Sequence, residues 1–471
     1  MPFLEFNMKK IIAFFTACVL LIAPLAAYAE TTLSPEKEAM NGILEWQSEN
    51  VGSVSLHVGE NACDWLAFSA GRSGKPDESY AKAALVYYAS NSDRLTVPDL
   101  ERLSLAVSAN GGDIVGSGML KALTDNFTNG ELSEKLINQL IFALIVLDSG
   151  LYELPEGADL SRQALVDEIL SRQLDSGALW MMNETVPETD VTAMAVTALS
   201  PYVTGSGEVR AAVSRMTDFL SANVTDDATV KNWGAPSCET TAQTIVALCS
   251  LGIDPTADER FVKNGKTLLD GLLSYRRNDG GFAHNESGSG SDAYATAQSF
   301  YALSAYLRCK TGSRALYDLR SEHSDEFFTE VTSLSIGIYS LDTSDEAAAK
   351  RLLDKYAAFA PGDRRYISGF EKLYSAFSEG FDGTFFSPDE IASNEGAALG
   401  DDLFEPIGAS SQSLTAADEN VSRLEASSQT SSQGGRGIGV RETAFLISVA
   451  VVAAAVIVLN HTVMKRTKNR K

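Results

Sequence analysis

The side chains best placed to do chemistry in this chain recur at the starts of stretches rich in small residues. Glu188 and Asp190 open one such stretch, Glu239 and Thr240 a second, and Asp292 and Tyr294 a third. Gln243 and Gln298 stand at matching positions further into the second and third, and Trp233 lies in the loop before Glu239. Carboxylates, amides, a hydroxyl and aromatic rings converging over a helix-lined cavity form the donor and acceptor set that holds a small molecule. Helix N-termini also attract acidic side chains, so capping accounts for part of this acidity.

The elements that must position these residues form a repeat. A Gly-aromatic loop, a short polar stretch and a small-residue helix follow one another three times, with loops at 176–180, 232–234 and 279–282. The last leucines of the three helices, Leu199, Leu248 and Leu303, are 49 and 55 residues apart. A period near fifty residues marks stacked copies of a two-helix unit. Fainter copies lie upstream at 139–150, 101–112 and 63–74, which makes six small-residue helices, most of them ending in Gly or Pro. Between them, 78–90, 160–173, 209–223 and 261–275 carry apolar residues at three- and four-residue spacing, which predicts amphipathic helices. No strand pattern is legible between 35 and 325. Small residues allow close helix approach and suit an inner ring, so the expected architecture is all-α. It is an α/α toroid of about six helical hairpins over 35–325, its Gly-aromatic loops plugging the seams between repeats.

The loops Gln173…Gly177-Ala178-Leu179-Trp180 and Asn278-Asp279-Gly280-Gly281-Phe282 resemble the QW-type motifs of the terpenoid-cyclase and protein-prenyltransferase toroids. The helix at 190–199 is most similar to a bacterial surface group of the prenyltransferase/squalene-oxidase repeat type, itself distantly similar to the toroid of the cobalamin carriers. That resemblance covers about residues 38–310 and implies the fold; one scaffold hosts cyclases, transferases and pure binders. The catalytic motifs of those families do not carry over. Where prenyltransferases place zinc ligands, Cys238 is present, but Pro236 and Ala295 stand at the other two positions. One ligand of three makes no zinc site. No Asp-x-Asp-Asp acid motif occurs, and Cys238 and Gln243 are five residues apart where a thioester needs three. The cobalamin carriers close their site with an added β-domain that is not legible here, so neither a corrinoid nor any other cofactor or metal is assigned.

The remaining segments read differently. Lys9 and Lys10, the apolar run 11–22 and Ala27-Tyr28-Ala29 have the layout of a signal peptide at 1–29. Residues 329–380 resemble a small helical module of Gram-positive surface proteins, with an N-cap cluster at 343–346 for its second helix. The Ser-, Ala- and Gly-rich stretch 383–440 reads as a disordered stalk. Residues 443–463 contain no formally charged side chain and are long enough for a transmembrane helix, and the basic tail 464–471 places its end in the cytoplasm. Removing the leader's net +1 and the tail's +5 from the chain's −24 leaves the body at −30, which argues against nucleic acid as a partner. Cys63, Cys238, Cys249 and Cys309 show no short-spaced disulfide framework and are expected to be mostly free, buried thiols.

Together these features predict a single-pass, cell-surface protein anchored by its own C-terminal helix. The expected role is binding of a small molecule or a surface partner without catalysis, through Glu188, Asp190, Trp233, Glu239, Thr240, Gln243, Asp292, Tyr294 and Gln298. The alternatives are a diverged prenyltransferase- or cyclase-like enzyme and a structural adhesin.

Overall fold

The computed structural model describes residues 33–376. The leader, stalk, transmembrane helix and tail expected at 1–29, 383–440, 443–463 and 464–471 lie outside the described residues. Among the described residues, no helix is long and apolar enough to cross a membrane.

The chain alternates outer and inner helices. In order they are α1 (Pro35–Asn50), α2 (Asn61–Arg72), α3 (Glu78–Asn91), α4 (Val97–Ala109), α5 (Met119–Thr124) and α6 (Ile137–Ser149). There follow α7 (Arg162–Ser171), α8 (Thr189–Leu199), α9 (Gly207–Ala222), α10 (Cys238–Ser250), α11 (Leu268–Leu273) and α12 (Ala293–Thr311). The even-numbered helices pack in a closed cycle: α2 on α4, α4 on α6, α6 on α8, α8 on α10, α10 on α12, and α12 back on α2. The odd-numbered helices lie outside them, and α1 completes the outer ring against α11 and α12. This is an α/α toroid. Small residues do set the spacing of the inner ring: a side chain at Gly71 of α2 would meet the Ala109 carbonyl of α4 at 2.4 Å.

One hydrogen-bond pattern recurs at three inner-helix starts. The amides of Leu179, Val230 and Phe282 donate to the hydroxyls of Thr192, Thr241 and Thr296 at 2.9, 3.0 and 2.9 Å. Each threonine is the fourth residue of its helix and donates onward to the carbonyl of the N-cap residue, Glu188, Ser237 or Asp292. The loop residue two positions before each clasped amide has positive φ: Gly177 (+88°), Ala228 (+59°) and Gly280 (+88°). Each of these residues touches the backbone of the next outer helix, at Arg215, Gly271 and Gly42 respectively.

This register corrects the second repeat. Trp233-Gly234 does not match the Gly177 and Gly280 loops; Ala228-Thr229-Val230 does. The strained Ala228 is accommodated because its neighbour on α11 is Gly271, where a side chain would come 2.1 Å from the Ala228 carbonyl. Trp233-Gly234 instead turns a small antiparallel hairpin, β1 (Val230–Asn232) with β2 (Ala235–Ser237), which no strand pattern foretold. Seam plugging falls to Leu179, Val230 and Phe282, all fully buried, whereas Trp233 is 72% exposed. The helix expected over 261–275 shrinks to α11, because Asn264 and Gly265 take positive φ (52° and 77°) in a tight turn.

Beyond the ring, α13 (Asp325–Ser340), α14 (Glu346–Ala358), α15 (Pro361–Arg364) and α16 (Phe370–Tyr374) gather a second apolar cluster around Ile338, Tyr356 and Leu373. Asp345 caps α14 through the Ala348 amide, as the 343–346 cluster suggested. Arg365 donates to the Cys249 and Ser250 carbonyls at the C-terminus of α10, and Asp363 accepts from Arg314, Arg320 and His323. The module therefore seats on the end of the ring where inner helices finish. Among the described residues, Cys63, Cys238, Cys249 and Cys309 are free, and the first three are buried.

Gly280→Ala forces both a left-handed non-glycine and a clash with the Gly42 backbone, where its Cβ would lie 2.4 Å from a carbonyl oxygen. A loss of about 3 kcal/mol in unfolding free energy is expected. Gly234→Ala, at φ +83° with nothing within 4 Å of its Cβ, carries only the conformational penalty. That variant should lose about 1 kcal/mol. Urea unfolding of the two variants measures the difference, and equal losses would show that the seam contact contributes nothing.

Candidate active site

The threonine clasps hold three helix starts at one level, so side chains at the second position of α8, α10 and α12 meet at one mouth of the ring. These are Asp190, Glu239 and Tyr294. On α6 and α8, partial exposure recurs four residues apart, at Asn138 and Phe142 and at Asp190 and Met194. That spacing marks the helix faces lining the opening. Deeper in, Gln243 Nε2 donates to Gln298 Oε1 at 3.0 Å and to the Tyr301 hydroxyl. Trp65 packs against both Phe142 and Tyr301, with ring centroids 5.8 Å apart in each case. The mouth is thus polar, and its floor is a buried amide–aromatic layer.

Asparagine 232, at the end of β1, ties the acidic residues together. Its Nδ2 donates to Asp190 Oδ2 at 3.3 Å, and its Oδ1 accepts the Thr189 amide at 3.1 Å. The Asn232 and Trp233 side chains lie close to the Glu188 carboxylate and partly offset its burial. Thr240 stands close to Asp190 in the same way. Glu239 meets His284 Nδ1 at 2.8 Å. The predicted residues Glu188, Asp190, Trp233, Glu239 and Thr240 therefore form one contiguous group, and Gln243 and Gln298 form the layer beneath it. Tyr294 stands beside them, 39% exposed. Asp292 is different: its carboxylate accepts the Tyr294 and Ala295 amides, so it is used as the cap of α12.

Capping does not explain the others. Glu188 is the N-cap of α8, yet its side chain makes no capping bond. Burial raises the carboxyls of Glu188, Asp190 and Glu239 above their ordinary values. For Asp190 the nearby Thr240 and Asn232 side chains only partly offset burial, and its Oδ1 is buried with no partner. For Glu239 the neighbouring His284 provides part of the offset. Two raised carboxyls at the starts of adjacent helices are the kind of groups that general acid–base catalysis uses.

Two participants escaped the sequence reading. His284 lies in a loop and Asn232 at the end of β1, and their partners are only fixed by the ring. Elsewhere in the ring, Glu101 of α4 is fully buried, its Oε1 has no partner, and burial alone pushes its carboxyl well above the usual range. Its place between Leu100 and Leu103 on an inner helix was the available signal. Cys238, weighed as a zinc ligand, is buried against α12 with its Sγ 3.1 Å from Ser299 Oγ. A cavity of about 60 Å³ lies at the other end of the ring, lined by Asp148, Thr197, Ser250, Arg320 and Arg365, away from these carboxyls.

No family model matches the chain, and no curated protein matches it. Among solved structures, the chain is similar to the unsaturated glucuronyl hydrolase, responsible for the degradation of glycosaminoglycan, of Bacillus sp. GL1. The identity is 15%, the match covers 60% of this chain and 98% of that one, and the TM-score is 0.44. That neighbour is an enzyme; it is the carboxyls gathered at the mouth of this ring, not the likeness, that stand against the expectation of a toroid that binds without catalysis. The non-catalytic reading is withdrawn. It had rested on missing contiguous motifs, zinc ligands and Asp-x-Asp-Asp, whereas the carboxyls gathered here start separate helices.

Glu101 supplies a measurable sign. Its folded-state proton affinity exceeds the unfolded one, so its contribution favours folding below about pH 4.5 and is lost as pH rises toward its raised value. The loss runs at about 1.4 kcal/mol per pH unit over that interval. Glu101→Gln should therefore gain stability over the native chain at pH 7 but not at pH 4. A variant-minus-native difference that is the same at both pH values would mean the carboxyl is ionised in the fold.

Proposed function

We propose that the toroid is a hydrolase that cleaves glycosidic bonds by general acid–base catalysis at the mouth of its inner ring. The observation that carries this reading is Asp190: a half-buried, raised carboxyl with one buried, unpartnered oxygen, beside the Glu239–His284 pair. Asp190 delivers its proton to the leaving glycosidic oxygen as the bond to the anomeric carbon breaks. Glu239, 2.8 Å from His284 Nδ1, takes a proton from the attacking water, whose oxygen completes the new bond at that carbon. Exposed Trp233 is held outward by a strained turn at φ 51° and offers a flat apolar face for a sugar ring. Asn232 and Asn138 add amide donors and acceptors.

The enzymatic alternative survives in this general form. A polar mouth closed below by the Gln243–Gln298–Tyr301 layer suits a polar substrate that inserts one end better than an isoprenoid that needs a deep apolar chamber. The acidic charge of the chain favours neutral glycans over polyanions.

The test is hydrolysis of a panel of neutral and uronate-containing oligosaccharides by the purified full chain, followed by reducing-end release. Asp190→Asn and Glu239→Gln should each lower the rate by roughly 100-fold or more with melting temperature unchanged. Because burial raises Asp190, activity should persist to higher pH than an ordinary carboxylic acid allows. No release from any glycan, or an Asp190→Asn variant at full rate, would sink the proposal.

A further inference from the structure

We propose that His57, Glu60 and Cys63 form a binding site for a divalent metal ion of the zinc type, on the loop that leads into α2. The three residues are spaced by threes and place an imidazole nitrogen, a carboxylate oxygen and a thiol sulfur within 4.8 Å of one another. His57 Nδ1 lies 3.0 Å from Glu60 Oε1, and Cys63 Sγ lies 3.7 Å from Glu60 Oε2. In a tetrahedral site with metal–nitrogen and metal–oxygen bonds near 2.0 Å and metal–sulfur near 2.3 Å, neighbouring donors stand roughly 3.3 to 3.8 Å apart. The 3.0 and 3.7 Å separations, each to a different Glu60 oxygen, lie near that range, and the three donors fall within 4.8 Å of one another. Nitrogen, oxygen and sulfur together match a borderline-soft ion, and three protein donors leave a fourth position for water or a ligand.

The behaviour of Glu60 is an independent sign. It is the N-cap of α2, where a carboxylate ordinarily accepts from the first-turn amides, yet its side chain makes no capping bond. Both oxygens turn to His57 and Cys63 instead. The loop is fixed from behind, as ligand loops at metal sites are. Asp64, fully buried, accepts from the Gly59 amide at 3.0 Å, from the Tyr80 hydroxyl at 2.7 Å and from Arg102 Nε at 2.9 Å. Gly59 takes φ +90°, and a Cβ there would meet the Tyr87 ring at 2.5 Å.

Charge is consistent with a cation. A carboxylate and a thiol that gives up its proton on binding would leave two negative donors for a doubly charged ion. Arg102, the nearest cation, is already paired with Asp64 and Asp99.

Titration of the full chain with cobalt(II), as a spectroscopic substitute for zinc, tests the site. One equivalent should give a near-ultraviolet thiolate-to-cobalt band and tetrahedral visible bands, and zinc should abolish both. Cys63→Ser should remove the thiolate band. His57→Ala and Glu60→Gln, at partly or fully exposed positions, should weaken binding at least tenfold while circular dichroism stays unchanged. Cys238→Ser and Cys309→Ser should have no effect on the band. Absence of a band in the native chain, or a band that survives Cys63→Ser, would overturn the assignment.

Discussion

The arrangement rests on a threonine hydroxyl that serves two backbones at once. At Thr192, Thr241 and Thr296 the hydroxyl receives an amide from the preceding loop and donates to the carbonyl that begins its own helix. A buried amide without a partner is costly, so this bond fixes the height of each helix against its loop. Because the threonine is always fourth, residues in second position arrive at a common level. Asp190, Glu239 and Tyr294 owe their meeting to that shared offset more than to any contact among themselves.

Burial then gives the mouth its chemistry. A carboxyl surrounded by helix walls loses more hydration than a few neutral donors restore, and its proton affinity rises. Asp190 and Glu239 differ in what stands beside them: an asparagine and a threonine in one case, an imidazole in the other. The same functional group on adjacent helices thereby stands in different surroundings. Glu101 shows the extreme of the same effect, with nothing to offset its burial.

Much of this was legible in the sequence, and the gaps have physical causes. The small-residue helices announced an inner ring because close approach demands them, and the acidic starts of α8 and α10 announced its mouth. The second repeat was misaligned because Trp233-Gly234 has the composition of the other loops while Ala228 has their conformation; only Gly271, forty-three residues later, reveals that an alanine is tolerated there. The shortening of the 261–275 helix could have been read from Asn264-Gly265, a strong turn pair outweighed by apolar spacing on either side. Asn232 and His284 gave no signal of their own. A loop residue acquires a partner only when the ring brings two loops together, and periodicity does not encode that.

The closing seam of the ring has a consequence for how the molecule assembles. Gly280 reaches Gly42, Arg276 pairs with Glu38 across 238 residues of sequence, and Arg72 donates to the Leu316 carbonyl across 244. Every other junction joins repeats that are consecutive in the chain. During synthesis the early hairpins can stack as an open arc, but the first helix must wait for the last repeat before its inner face is covered. The chain therefore carries one high-contact-order step, the sealing of the α1–α12 edge, on top of many local ones.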